Sequence, residues 1–452
     1  MSTAVEIKPK HLTHKIRLHA NHKFLTYCSR AAGVQRKTYN WCVDRLKQAI
    51  DNHEKIDFIK WKKDFTQVKR QQFPYMYEVT KYASAQPFFF AKRAFEDYCK
   101  DKQEGKTGCR RKGFLKYHQK RHGYGSFYIG GDQVYFSDTP YDKKSYNYGT
   151  ECKHQYIHIP KFGWVKMYER LRFQGHIENC TITYEGDKVY ACVLVKITQE
   201  EYLRTHKGVV AHDTACGIDV GLKSFITTDT GLKVDAPKPL KKQQRRLKHA
   251  QRCLNRRQHP TSKNDTTQCS KNFYKQVKVI RAINSKVVNT RRDFNNKLSS
   301  VLLRHYEYIG IEDLNVSGML KNHKLAKALT DAGFRIFREM LTYKALWLDR
   351  KVVKANMFFA STKICSNCGH KRFDLTLRDR VYVCPHCGMV LDRDQNAGKN
   401  LLNNLKESIG VVSAKFKPMD QTAMQSDLAI NRIVTSWDEV GIQQMLINKK
   451  AT

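Results

Sequence analysis

The stretch "ACGIDVGLKSFITTDTG" (residues 215–231) reads as a strand, a tight glycine turn and a second strand, with Asp219 set between Ile218 and Val220. An unpaired carboxylate in an apolar strand is costly to bury, so Asp219 is either an outward-facing strand residue or a group kept there for chemistry. The oddity recurs. In "YEYIGIEDLNVSGM" (306–319) an apolar run stops at Glu312 and Asp313, and in "VLDRDQNAGKNLL" (390–402) Asp392 and Asp394 stand just before a helical pattern. Taken alone, Asp394 reads as a helix N-cap. Three acids at strand ends or helix starts of one βββ/α unit are harder to dismiss, because a two-metal phosphodiesterase site gathers carboxylates from distant segments.

The chain around them is basic: 452 residues carry 82 Lys+Arg against 42 Asp+Glu, a formal charge of +40. Such self-repulsion is best neutralised by a polyanion, which favours nucleic acid over an anionic membrane as partner. The length implies roughly two to four domains. No run approaches the ~18 to 20 apolar residues that span a bilayer. The opening "MSTAVEIKPKHLTHKIRLHA" lacks the apolar core of a secretory signal, so an intracellular, cytoplasmic protein is expected. Of the fourteen cysteines four are paired, Cys365 with Cys368 in "KICSNCGH" and Cys384 with Cys387 in "YVCPHCGM". Two such knuckles supply four thiolates for a closed, tetrahedral, structural Zn²⁺ site, and nearby His370 and His386 are not needed as ligands.

Elsewhere the patterning is coarser. "HKIRLHA" (14–20) reads as a strand, and from about 21 to 115 Tyr39, Trp41, Leu46, Phe88, Phe89, Ala91 and Phe95 recur near helical spacing, as in helix–helix packing. From about 123 to 200 the period becomes two in "GSFYI", "QVYFS", "QYIHIP" and "GWVKMY". A hairpin comes next in "IENCTITYEGDKVYACVLVKI" with Glu185-Gly186-Asp187 at its turn, and together these point to a small β-barrel. "KTGCRRKGFLKYHQKRHGYG" (106–125) is basic and Gly-interrupted, and reads equally as a solvated linker or as a segment lying along a phosphate backbone. "KKQQRRLKHAQRCLNRRQHPTSKN" precedes an amphipathic helix carrying Ile280, Ile283, Val287, Phe294, Leu298 and Leu302, and "AGFRIFREMLTYKALWLDRK" gives another helix. The tail "SWDEVGIQQMLINKK" has helical patterning and no evident chemistry.

Taken in order, "GIDVGLKSFITT", "YIGIEDLNVSGM", "KICSNCG", "VCPHCG" and "LDRDQNAGKNLL" resemble the RuvC-like nuclease of the TnpB family, transposon-encoded RNA-guided nucleases similar to type V CRISPR effectors. "HKIRLHA", "GVQRKTYNWCVDRL" and "HIPKFGWVKMYERLRFQGHIENCTITYEGDKVYACVLV" extend the likeness to the N-terminal half, so that it runs to about residue 408. It implies a multidomain α+β protein. The first strand of an OB-like wedge β-barrel would occupy 1–20, a helical recognition domain 21–122 and the rest of the barrel 123–208. An RNase H-like (RuvC) α/β nuclease domain would occupy 209–357, with an inserted four-cysteine zinc ribbon at 358–390, its third motif at 391–408 and a tail at 409–452.

The resemblance further implies a catalytic triad of Asp219, Glu312 and Asp394 holding two Mg²⁺ ions. Asp394 is preferred to Asp392 on the pattern Asp394-Gln395-Asn396-Ala397, which leaves Asp392 and Asn396 as supporting residues. The implied activity is Mg²⁺-dependent DNA cleavage beside a short flanking motif, in a bacterium or archaeon. The partners would be a guide RNA from the transposon end and a double-stranded DNA target. Arg110, Arg111, Lys241, Lys242, Arg245, Arg246, Arg256 and Arg257 are candidates for backbone contact. Alternatives are a non-cleaving RNA-guided binder, a CRISPR-associated effector, or a zinc-ribbon transposase. Two departures stand out: Gly398 follows Ala397 where relatives carry alanine, at about 1 kcal/mol of helix propensity, and "CRRKGFLKYHQK" lacks the Pro-Arg-Phe often found there.

Overall fold

Strand alternation builds the N-terminal part. In β1 (Lys10–Leu18) the buried residues are His14, Ile16 and Leu18, with Thr13, Lys15 and Arg17 exposed between them. The computed structural model describes residues 10–107, 112–120, 123–138, 155–172, 175–205, 213–262, 265–357, 359–376, 379–409, 416–417, 419, 421–433 and 435–437. The chain divides into two units, Met1–Thr205 and His206–Thr452.

In the first unit, Asn21 caps α1 (His22–Asp51), its side chain accepting from Phe24 N at 2.8 Å. Next come α2 (Phe58–Gln72), started by Asp57, and α3 (Lys81–Gln103). Trp41, Phe65 and Phe88 interlock between these helices with ring centroids 4.9 to 5.9 Å apart. The strands are β2 (Tyr124–Gly130), β3 (Tyr135–Ser137), β4 (Tyr156–Ile159), β5 (Gly163–Lys166), β6 (His176–Glu185) and β7 (Lys188–Ile197), followed by α4 (Gln199–Thr205). Gly186, at φ +67°, makes the β6–β7 turn. One sheet runs β1-β7-β6-β2 and the other β3-β4-β5, joined by a bridge between Leu18 and Met167. Among the described residues no ladder joins β2 to β3.

The second unit is built on a six-stranded sheet of mixed sense. Its first strands are β8 (Ala215–Val220) and β9 (Ile226–Thr228), the two expected within 215–231, and β10 (Leu232–Val234) comes just after that stretch. The helices α5 (Pro239–Asn255) and α6 (Lys271–His305) lead to β11 (Tyr308–Glu312). Then come α7 (Val316–Met319), α8 (His323–Ala332), α9 (Phe334–Trp347) and β12 (Lys351–Ala355). The hairpin β13 (Val381–Val383) and β14 (Val390–Asp392) precedes α10 (Arg393–Ser408). β8, β11 and β12 are mutually parallel, whereas β9 runs antiparallel to β8 and β10 antiparallel to β9.

The C-terminal segment is used structurally. Asp427 of α11 (Gln421–Ile430) accepts from Arg304 and His305 of α6, each at 2.8 Å. β15 (Thr435–Trp437) pairs with β10, so "TSW" is strand where helical patterning was expected, and the rest of that patterning lies outside the described residues. Covering the β10 edge removes an open row of backbone groups.

The centre of this unit is positioned by a close approach between α10 and the sheet. A Cβ on Gly217 would overlap the carbonyl oxygen of Gly398, one on Gly310 would lie 2.6 Å from Leu401 O, and one on Gly398 would lie 2.8 Å from Asp229 N. These glycines let helix backbone touch strand backbone. The same contact accounts for Gly398: an alanine there favours the helix but collides with the sheet. We predict that Gly217→Ala destabilises the protein by about 3 kcal/mol, the upper range for overpacking. Gly113→Ala, with open space around it, should change the denaturation midpoint little. Equal midpoints in a urea titration would count against the contact.

Candidate metal-binding and nuclease centre

Strand parity carries the acids to the helix. Asp219 and Glu312 each lie two residues beyond a contact glycine, Gly217 and Gly310, and therefore on the same face as α10. The parallel register pairs Gly310 with Gly217 and Ile311 with Ile218, so the two acids come next in line. Asp394 sits in the first turn of α10, one turn before Gly398.

Asp219 is 8% exposed. Burial, and then the negative charges of Glu312 and Asp394, push its carboxyl well above the usual range, and Arg393 works in the opposite direction. Burial also raises Glu312, against which Ser361 Oγ donates a hydrogen bond that lowers it. Arg393 donates to Asp394 Oδ1 from Nη2 at 3.1 Å. The neighbouring Asp313 is turned away to Arg338.

Asp392, not Asp394, is the N-cap of α10: its Oδ1 accepts from the backbone N–H of Asp394 and of Gln395, each at 3.0 Å. Its Oδ2 lies 3.1 Å from Lys233 Nζ in a largely buried ion pair. Both Asp392 oxygens are thus engaged, and it is the Asp394 charge that reaches Asp219. Asn396 is fully buried and faces the cysteine knuckle, where it accepts from Ser366 N at 3.0 Å and donates to Ile364 O at 2.7 Å. Three converging carboxylates with one opposing guanidinium leave negative charge uncompensated. An all-oxygen set of this kind fits Mg²⁺.

The second cluster is tighter. The Sγ atoms of Cys365, Cys368, Cys384 and Cys387 all lie within 4.8 Å of one another. Cys365 and Cys387 are 3.6 Å apart and Cys368 and Cys384 3.5 Å. Those separations suit four sulfurs around a single ion with metal–sulfur bonds near ~2.3 Å, and the set fits zinc. Gly369 and Gly388, at φ +74° and +70°, end the two knuckles. The backbone N–H of Met389, and then the Asn367 amide, hold the Cys387 thiol down to about 6. Tyr382 is fully buried beneath the cluster. His370 and His386 are exposed and stack on each other, centroids 5.7 Å apart.

Lys241, Lys242, Arg245 and Arg246 lie on α5, and Arg256 and Arg257 just past its end; all six are exposed. Asp331 fixes the start of this basic helix, accepting from Leu240 N at 2.9 Å and Lys241 N at 3.0 Å. Arg110 and Arg111 lie outside the described residues. Sequence reasoning missed Ser361, Lys233 and Asn400 as contributors, since a lone serine, lysine or asparagine carries no pattern. Arg393 was visible only as a charge between two acids.

A family model described as "Probable transposase" (OrfB_IS605) matches residues 193–323, the span holding Asp219 and Glu312. Another, "Cas12f1-like, TNB domain", matches 334–401, the span holding the four cysteines and Asp394. A protein of Streptomyces pristinaespiralis named "Putative RNA-guided DNA endonuclease" is 38% identical over 192 residues, 42% of this chain and 45% of that protein. InsQ of Escherichia coli K12, named in the same terms, is 27% identical over 54% of this chain and 61% of its own length. "TnpB-like protein L79" of Acanthamoeba polyphaga mimivirus is 28% identical over 49% of this chain and 42% of its own length. The chain thus spans about half the length of the curated relatives it matches. A solved structure described as "Cryo-EM structure of the Cas12f1-sgRNA-target DNA complex" matches at 12% identity and a TM-score of 0.30, covering 87% of this chain and 99% of that chain. That superposition is too loose to carry an argument. The models and the relatives bear out the resemblance to the TnpB family.

Each cluster makes a prediction of its own. The purified protein should carry about one equivalent of zinc, and Cys384→Ser should bring it below about half an equivalent by elemental analysis. For Asp219 the sign is set by a folded-state pKa above the unfolded one. The folded protein retains a proton there that the unfolded chain releases, so stability falls as pH rises from 3.8 toward the raised value. In metal-free protein Asp219→Asn should therefore raise the denaturation midpoint at pH 7, and the gain should vanish as pH is lowered to about 3.8. Mg²⁺ should stabilise the wild type more than the variant. A lower midpoint for the variant at pH 7 without metal would show that the anion is already satisfied.

Proposed function

We propose that this chain, as a relative of the TnpB proteins, is a Mg²⁺-dependent DNA endonuclease that takes its target sequence from a bound RNA. The observation that carries the reading is the convergence of Asp219, Glu312 and Asp394 on one face of the second unit's sheet. Strand order and sense support an RNase H-like nuclease: β9 antiparallel to β8 and β10 to β9, with β11 and β12 parallel on the other side of β8. We assign helical recognition to 21–122, the wedge to 1–20 and 123–208, nuclease to 209–357 and 391–408, and a zinc ribbon to 358–390. The tail, 409–452, supplies a further helix and an edge strand.

Asp219, Glu312 and Asp394 would hold Mg²⁺, which supplies activation of a water and stabilisation of the leaving oxygen in phosphodiester hydrolysis. The protein's own contribution is to fix the three acids. Gly217, Gly310 and Gly398 set the helix-to-sheet distance, and Asp392 with Lys233 anchors the first turn of α10. Arg393 keeps part of the Asp394 charge compensated. A charge of +40 suits a protein that follows two kinds of sugar–phosphate backbone, with the basic face of α5 as one contact surface. Sequence selection falls to base pairing between a transposon-derived guide RNA and one strand of a DNA duplex. The presence of all three acids favours cleavage over binding alone.

The test is a plasmid library with a randomised flanking sequence, offered with Mg²⁺ to protein purified with its co-expressed RNA. Cleavage is expected beside one short motif, and Asp219→Ala, Glu312→Ala and Asp394→Ala should each lower the rate by at least about a hundredfold, the upper end of losses seen for groups that merely support metal ligands. Equal cleavage by Asp219→Ala, or cleavage indifferent to RNase, would overturn the proposal.

A further inference from the structure

Between β12 and the first cysteine knuckle, residues 361–366 lie against α10 through side-chain hydrogen bonds. Asn400 Nδ2 donates to Ser361 O and to Ile364 O, both at 2.7 Å. One turn earlier Asn396 Nδ2 donates to Ile364 O at 2.7 Å, and its Oδ1 accepts from Ser366 N at 3.0 Å. Asn396 is 0% and Asn400 3% exposed. Their spacing of four places both on one face of α10.

The segment they hold joins the two metal clusters. At one end Ser361, 2% exposed, donates its hydroxyl to Glu312 Oε1, and at the other lies Cys365. Buried amides are costly to leave unpaired, and these satisfy backbone groups of a loop, so their bonds fix the loop in a single register. A hydroxyl bonded to one carboxylate oxygen restricts rotation of that carboxylate and leaves its other oxygen oriented.

We propose that Ser361 is a positioning residue for Glu312, and that Asn396 and Asn400 hold the Ser361–Ser366 segment so that order in the four-cysteine site is passed to the carboxylate site. This rests on the reading of Asp219, Glu312 and Asp394 as a divalent-cation site. The hydroxyl sets the affinity of that site for the ion and leaves the rate at saturating ion largely unchanged. The amides set both that affinity and the retention of zinc.

The experiment measures Mn²⁺ binding by electron paramagnetic resonance on the full-length, zinc-loaded chain freed of nucleic acid, counting as the site the binding that Asp219→Ala removes. Ser361→Ala should weaken it by about tenfold to a hundredfold, as expected for a group that orients a metal ligand, with zinc content unchanged. Ser361→Thr, which keeps the hydroxyl, should restore it. Asn400→Asp, equal in shape but without the N–H donor, should weaken Mn²⁺ binding and speed zinc loss to a chelator. In cleavage assays Ser361→Ala should raise the Mn²⁺ concentration for half-maximal rate while the rate at saturation is retained. If Asp219→Ala removes binding but Ser361→Ala and Asn400→Asp bind as wild type, the positioning role is overturned and the carboxylate reading stands. If Ser361→Thr is as weak as Ser361→Ala, the hydroxyl is not the agent and the role is likewise overturned. If Asp219→Ala binds as wild type, the carboxylate reading fails and the proposal with it. Should Asn400→Asp not fold, the Ser361 pair, which leaves helix and cysteines untouched, decides alone.

Discussion

The contact on which the second unit depends is backbone against backbone: α10 lies so close to β8 and β11 that no side chain fits at Gly217, Gly310 or Gly398. Helices ordinarily stand off a sheet by the width of their side chains. Removing that spacer brings the first turn of α10 within electrostatic reach of the two strands, which is how Asp394 comes to act on Asp219. Parity does the rest, since Asp219 and Glu312 follow their glycines by two residues and so face the same helix. A larger residue at any of the three glycines would move all three acids relative to one another.

The electrostatics of the cluster run against stability. Asp219 is buried beside two like charges, and the opposing charge is the Arg393 guanidinium, already engaged with Asp394. The helix N-terminus could have helped, because its free N–H groups and dipole favour an anion. Instead Asp392 occupies it, accepting the first-turn N–H groups on one oxygen and pairing with Lys233 on the other. The division of labour is physical: one aspartate stabilises the helix start, and its neighbour two residues on is left with charge to offer a cation. In a chain of +40, a buried surplus of negative charge at one place is a departure that folding alone does not require.

Much of this centre was legible in the sequence because it violates local expectations. A carboxylate inside "GIDVG" and another ending "YIGIE" are anomalies of strand chemistry, and the Cys-x-x-Cys pairs announce a metal by spacing alone. The N-cap was not legible, since "DRD" offers two aspartates at a helix start and only the hydrogen bonds tell which one caps. Gly398 looked like a loss of helix propensity, because propensity is local and the sheet it meets comes from residues far off in sequence. Ser361, Lys233 and Asn400 were invisible for the same reason: each matters through a partner 39 to 159 residues away. The edge strand Thr435–Trp437 was hidden because three residues carry no period, and its partner β10 is equally short.

The cysteine knuckles interrupt the chain between β12 and α10, and an insertion there would ordinarily loosen the helix that comes after it. Both of its ends are tied to the beginning of α10. The entering segment is held by Asn396 and Asn400, and the leaving strand β14 ends in Asp392, which caps the helix and pairs with Lys233. The hairpin is in register up to that point, Val381 pairing with Asp392. The insertion therefore cannot shift without pulling on the helix turns that carry Asp394 and contact the sheet through Gly398. A closed four-thiolate site at such a place would be more than a staple for a small hairpin, because whatever rigidity an ion bound there gave the knuckles would be delivered to the first turns of α10.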